Sequence, residues 1–225
     1  MPSNSSWSRE IRAVFMKEWH AETRGLSGFT TTGLICLVSV ITANAITWTT
    51  SLNPMIAAGI YWMILVFAAS VSLARTFLGE EENHTADFWR LCARPEAVYW
   101  GKALFNIIQM IVATLLMSVA FVIILKVRIE NPGVFATTAL GGAIAIASTV
   151  TLSGAIAAPA NNRYPLAAAI SVPVLLFLIN LGVSGTATAF GEPLENGEKA
   201  GIVMIAYAIA TCTVGPVVYS KIWKG

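Results

Sequence analysis

Five stretches of this 225-residue chain contain no Asp, Glu, Lys or Arg: 25–74, 103–125, 131–162, 164–191 and 200–220. A helix in a soluble protein keeps one face wet and therefore interrupts its apolar residues with charge every turn or two. Uninterrupted runs of this length suit a bilayer, whose hydrocarbon core takes about 20 apolar residues per helix. The first run is long enough for two spans, with a break at Ser51-Leu52-Asn53-Pro54. The expected spans are 29–49, 55–77, 103–125, 134–158, 165–186 and 200–220, six in all. Composition agrees, with 56% hydrophobic and 12% charged residues, where soluble domains carry about 25% charge. The chain is expected to be an all-α integral membrane protein.

Lys and Arg collect in cytoplasmic loops and so orient a bundle. With both termini inside, Arg9, Arg12, Lys17, Arg24, Arg75, Arg90, Arg94, Lys102, Arg163, Lys221 and Lys224 are cytoplasmic. Only Lys126, Arg128 and Lys199 then lie outside, and the inverse orientation reverses that ratio. A net charge of +2 is too small to argue for a nucleic-acid partner.

Two segments outside the spans carry patterns of their own. Residues 1–28 form an N-terminal unit ahead of the six-span domain, 29–225. Within it, Trp7, Ile11, Val14 and Phe15 follow the helical period while Arg9, Glu10, Arg12 and Lys17 face elsewhere. This pattern fits a helix over 7–26 lying on the membrane surface, in contact with lipid, or an amphipathic helix packed on other protein. The longest polar segment, 79–102, opens with Glu80, Glu81 and Glu82 and continues into a short helix from about Thr85, ended by Pro95. Phe88, Leu91 and Cys92 share one face of that helix, with Trp89 at its margin. An apolar face outside the bilayer needs a cover, either lipid headgroups or another protein.

Spans four and five are rich in small residues, among them Gly141, Gly142, Ser153, Gly154, Gly182 and Gly185. Such residues let helix backbones approach closely in lipid, so bundle packing is the expected role. Pro173 and Pro216 fall inside spans, where they kink rather than end a helix.

Catalytic chemistry is not visible. Apart from Arg75 at the cytoplasmic end of the second, the expected spans hold no Asp, Glu, Lys, Arg or His, which argues against an ion-coupled carrier. No phosphate-binding GxxxxGK[ST] occurs; Gly101-Lys102 is followed by Ala103. Neither HExxH nor GxSxG is present, and Cys36, Cys92 and Cys212 are too scattered for a metal site or disulfide framework. His20 and His84 share no motif. No catalytic residue, metal ligand or directly bound cofactor is expected.

One block does carry a family signature. It runs Ile-Ala-Ala-Gly-Ile-Tyr-Trp (56–62), Leu73-Ala74-Arg75-Thr76-Phe77, Glu80-Glu81-Glu82, Leu91-Cys92-Ala93-Arg94-Pro95 and Tyr99-Trp100-Gly101-Lys102, then Asn106. This resembles the heme exporter protein B (CcmB) family, in which a "P-G-I-x-W" span leads to "L-x-R-x-F", an acidic turn, an "L-x-x-P" helix end and "G-K". Ala58 stands where the family commonly has proline.

The resemblance implies a six-span permease of the ABC-2 type in a bacterial or archaeal cytoplasmic membrane. It also implies an ATPase subunit (CcmA-like) that handles ATP, a second copy of the permease, a heme-handling membrane protein (CcmC-like) and a periplasmic heme chaperone (CcmE-like). On this chain, residues 7–26 correspond to the elbow helix. Residues 80–94 hold the coupling helix, so that Glu80, Glu81, Glu82, Phe88, Trp89, Leu91 and Cys92 are the expected ATPase contacts. Heme passes, if at all, through the complex. A permease for another cargo such as a lipid or peptide, and a non-transporting scaffold, are the alternatives.

Overall fold

The computed structural model describes residues 6–25, 27–48, 52–72, 75–82 and 86–223. These residues form α1 (Trp7–Gly25), α2 (Ser27–Thr47), α3 (Pro54–Ser72), α4 (Arg75–Glu82), α5 (Ala86–Cys92), α6 (Pro95–Leu125), α7 (Pro132–Ala157), α8 (Arg163–Ala189) and α9 (Ala200–Trp223). A 3-10 turn at Gly197–Lys199 precedes α9. No strand occurs among the described residues. Among the described residues, six helical segments are long and apolar enough to cross a membrane: α2, α3 with α4, α6, α7, α8 and the 3-10 turn with α9. The expected six-span, all-helical architecture is the one observed.

The boundaries follow local chemistry. Asn131 caps α7 by accepting a 3.2 Å hydrogen bond from the Val134 amide, and Pro132 opens the helix where its missing N–H costs nothing. Pro95 does the same for α6. Counting charge-free residues placed the start of this span at 103, but the helix begins at Pro95 and so takes Lys102 into its body. Between α6 and α7, the Glu130 and Asn131 amides both donate to the Ala189 carbonyl, at 2.9 and 3.1 Å, tying this link to the end of α8. Pro173 and Pro216 lie inside α8 and α9, which continue past them.

α7 is the axis of the bundle. Of its apolar window 78% is buried, against 22–50% for the other five spans. Its small residues explain why. Where α7 crosses α9, a Cβ on Gly201 would lie 2.7 Å from the Thr137 backbone, and one on Gly141 would lie 2.8 Å from the Gly201 carbonyl oxygen. Backbones this close gain dispersion contacts that lipid cannot match. The longer apolar side chains of α2, α6, α8 and α9, such as Leu34, Leu116, Leu176 and Ile209, remain exposed on the outside of the bundle, as a lipid-facing surface requires.

α1 is not simply a surface helix. Val14 is fully buried where α1 crosses α6, and a Cβ on Gly101 would fall 2.6 Å from the Val14 Cβ. The Phe15 ring lies edge-on to Phe105 with centroids 6.4 Å apart. Ile11 is half-buried, while Trp7 is exposed, together with Met16 and Trp19. The apolar face is therefore divided between protein and the outside. Gly101→Val is expected to lift α1 from α6, because Val14 has no room to retreat. Limited trypsin digestion would report it as faster cleavage after Arg12 and Lys17, and an unchanged digestion rate would contradict the crossing described here.

Candidate functional site

The residues with most chemical character gather at one end of the bundle, where α1, α4, α5 and the start of α6 meet. Lys102 is fully buried, unusual for a lysine unless it is paired. Its Nζ donates to the Thr76 carbonyl at 2.5 Å and to Oε2 of Glu80. The ammonium also lies 4.4 Å from the centre of the Phe77 ring, a cation–π contact. Glu80 sits one turn beyond Thr76 on α4, so a single helix face supplies both acceptors.

The second carboxylate oxygen of Glu80 is also engaged. Oε1 accepts from Lys17 Nζ of α1 at 2.5 Å and from the Trp89 indole N–H of α5 at 3.0 Å. Lys17 in turn pairs with Glu18 at 3.0 Å and stands 5.8 Å from the centre of the Trp89 ring. One carboxylate thus ties together four helices. Burial pulls the Lys17 ammonium down, but the charges of Glu18 and Glu80 outweigh it and hold its pKa above the ordinary lysine value. A raised lysine pKa contributes stability that is fully present below pH 10.5 and is lost only as pH climbs through the folded-state value. Lys17 is accordingly charged at neutral pH.

Further in, the polar character continues along α6. Asn106, one turn past Lys102, donates to Thr76 Oγ1 at 3.1 Å and to Thr151 Oγ1 of α7 at 2.8 Å. Gln109 follows on the same face and is buried too. At the periphery, Glu10 of α1 meets Arg94, whose backbone amide it accepts at 3.3 Å. Glu22 accepts from the Phe29 amide at 2.7 Å and so satisfies an open donor at the start of α2.

The expected contact residues divide into two groups. Phe88 and Leu91 are 62% and 87% exposed, and Cys92 is exposed beside them. Trp89 turns the other way, onto Glu80 and Lys17. Glu80 is directed inward, Glu81 is half-buried and Glu82 is exposed. α5 therefore presents an apolar outer face while its inner face is anchored to a charged junction. Residues 83–85, which include His84 and the expected helix start at Thr85, lie outside the described residues, whereas His20 is exposed and its Nδ1 is 2.6 Å from the Met16 carbonyl. Among the described residues no cluster of His, Cys, Asp or Glu is placed to hold a metal ion.

Sequence reasoning missed the partnership of Lys17, Glu80 and Lys102. The only available signal was a Gly-Lys pair on the threshold of a span and an acidic run on the threshold of the preceding one. Pairing them requires knowing that α4 and α6 run side by side.

The family model for CcmB protein matches residues 9–221, nearly the whole chain and all six spans. No curated protein sequence matches the chain significantly. The signature residues quoted above now have places: Trp62 in the middle of α3, Glu80 and Lys102 in the junction, and Pro95 at the start of α6. This multi-pass membrane protein belongs to the CcmB family.

Proposed function

We propose that the chain is the membrane-spanning permease subunit of an ABC transporter acting in heme export for cytochrome c maturation, and that a separate ATPase subunit docks on α5. The observation that carries this reading is the two-sided character of α5. Its Phe88, Leu91 and Cys92 face is exposed, and its Trp89 face is locked to Glu80. A helix laying an apolar face into a partner's groove is a recurring docking mode. Family membership supports the same partner.

The junction supplies a route for force. A motor protein that tilts α5 moves Trp89, and Trp89 pulls on the carboxylate shared with Lys17 of α1 and Lys102 of α6. Buried ion pairs resist separation because parting them strands charge in a low dielectric. The motion is therefore passed to α6 as a rigid unit rather than dissipated in side chains. In this reading both termini are cytoplasmic, a second copy completes the permease, and the heme-handling membrane protein and heme chaperone join from outside this chain.

The test uses Phe88→Asp and Leu91→Asp. Both side chains are exposed, so the fold is expected to survive. A charge in the centre of a docked apolar face costs about 2 kcal/mol or more, roughly 30-fold in affinity. The ATPase subunit is then expected to be lost on purification and c-type cytochromes to fall in the cell. Retention of full assembly and full coupling by both variants would show that α5 is not the docking helix. Deletion of the gene with c-type cytochromes intact would instead point to another cargo.

A further inference from the structure

The end of the bundle remote from Glu80 holds a second charged feature that the docking reading does not use. α6 spans 31 residues, which is about 46 Å of helix, so its C-terminus lies far from the junction. The helix stops at Lys126, whose φ of 54° puts it in the left-handed region that glycine or asparagine adopts most readily. Residues 126–129 then run without helix. Val127 and Ile129 pack against the apolar core, while Lys126 and Arg128 are exposed.

Alternation of this kind places residues two apart on the same side. Lys126 and Arg128 both line a cavity of about 740 Å³ at this end, a size typical of ligand sites. No ion pair reaches either cation among the described residues. Asn44 and Thr47 of α2 add polar groups to the wall, and the remainder is apolar or aromatic, with Leu52, Ile124 and the buried Phe190 below and Trp48 80% exposed at the edge.

Each feature taken singly has a plain explanation. A lysine at a helix C-terminus complements the dipole, and a basic side chain at a span end reaches for headgroups. The combination asks for more. Of the three cations in the loops at this end, two share one cavity, and one of those occupies a backbone conformation that opposes a side chain.

We propose that this cavity binds an amphiphile with an anionic head, phosphate or carboxylate. Lys126 and Arg128 clamp the head, while Trp48, Ile124 and Phe190 cover its apolar body. Charge complementarity selects the head, and an indole at a membrane boundary suits a ligand that is half wet and half apolar. The ligand arrives either as a bilayer phospholipid or as a free amphiphile from the aqueous side. The site is independent of the ATPase and stands or falls separately from docking on α5.

Native mass spectrometry of the full chain in neutral detergent tests it, with phosphatidylglycerol, phosphatidylcholine and dodecyl phosphate as probes. Phosphatidylglycerol is expected to bind about tenfold or more tighter than phosphatidylcholine, given the usual attraction per basic side chain near a membrane surface. The double substitution K126Q/R128Q is expected to bring the two lipids to parity. K126R/R128K should keep the preference, as should Lys199→Gln at the same end but away from the cavity. Circular dichroism checks that helix content is retained. Binding of phosphatidylglycerol alone identifies a lipid site, and binding of dodecyl phosphate alone identifies a free amphiphile. If both bind and compete, the head chemistry is shared. The proposal is overturned if no anionic preference exists, if K126Q/R128Q retains it, or if Lys199→Gln removes it equally.

Discussion

Glu80→Ala is expected to destabilise the folded bundle by about 3–5 kcal/mol, the cost of stranding a buried charge. The substitution leaves the ammonium of Lys102 fully buried, with the Thr76 carbonyl, the Phe77 ring and the charge of Glu18, to which it makes no direct ion pair, for company. Lys102→Met should cost much less. It removes the buried charge and keeps most of the volume, and Glu80 still has Lys17 and Trp89. The double variant Glu80→Ala/Lys102→Met separates this account from simple loss of packing. It is expected to recover most of what Glu80→Ala loses, because no charge remains unpaired in the interior and Lys17 keeps Glu18 and partial access to solvent. Groups in one ion-pair network couple in this non-additive way. Unfolding of the purified chain by SDS from mild detergent measures the whole cycle. A double variant no more stable than Glu80→Ala alone would remove the stranded charge as the cause.

The same pair explains where the sequence was readable and where it was not. Six spans were legible because a bilayer tolerates almost no unpaired charge, so charge-free runs mark them. Two of the helical segments run beyond the expected spans. Counting charges treats Glu80 and Lys102 as two penalties, whereas side by side they neutralise one another, so α6 extends back to Pro95 and α4 reaches Glu82. The exposed face of α5 was legible from the helical period of Phe88, Leu91 and Cys92. The inward turn of Glu80 was not, since nothing local distinguishes it from Glu81 and Glu82. Nor could periodicity decide whether α1 met lipid or protein; that depended on Gly101, in another helix, leaving space for Val14. Gly142 of α7 and Gly182 of α8 were recognisable as packing residues, but what both pack against lies 80 and 120 positions back in the chain.

That partner is Trp62, and substitutions around it carry the other large expected effect. Its indole is fully buried, and Tyr61 packs edge-on at 5.9 Å. A Cβ on Gly142 of α7 or on Gly182 of α8 would collide with the ring itself. The indole N–H donates to Thr186 Oγ1 at 2.9 Å, which fixes the ring's orientation in its slot. Within lipid, helices gain nothing by leaving water, so close packing and hydrogen bonds must carry the association of α3 with α7 and α8. Gly142→Ala and Gly182→Ala are each expected to cost about 1–3 kcal/mol, the usual range for overpacking a full core. Trp62→Ala is expected to cost about 3 kcal/mol, the lower end of the range for large aromatic deletions, because the transfer component is absent in a bilayer. Gly142→Ala combined with Trp62→Leu should be better tolerated than Gly142→Ala alone relative to its own background, since the smaller side chain yields the space that the methyl needs. Thermal melts followed by circular dichroism measure each corner of this cycle. Additive losses, with no relief in the double variant, would mean that the glycines are not there to admit the indole.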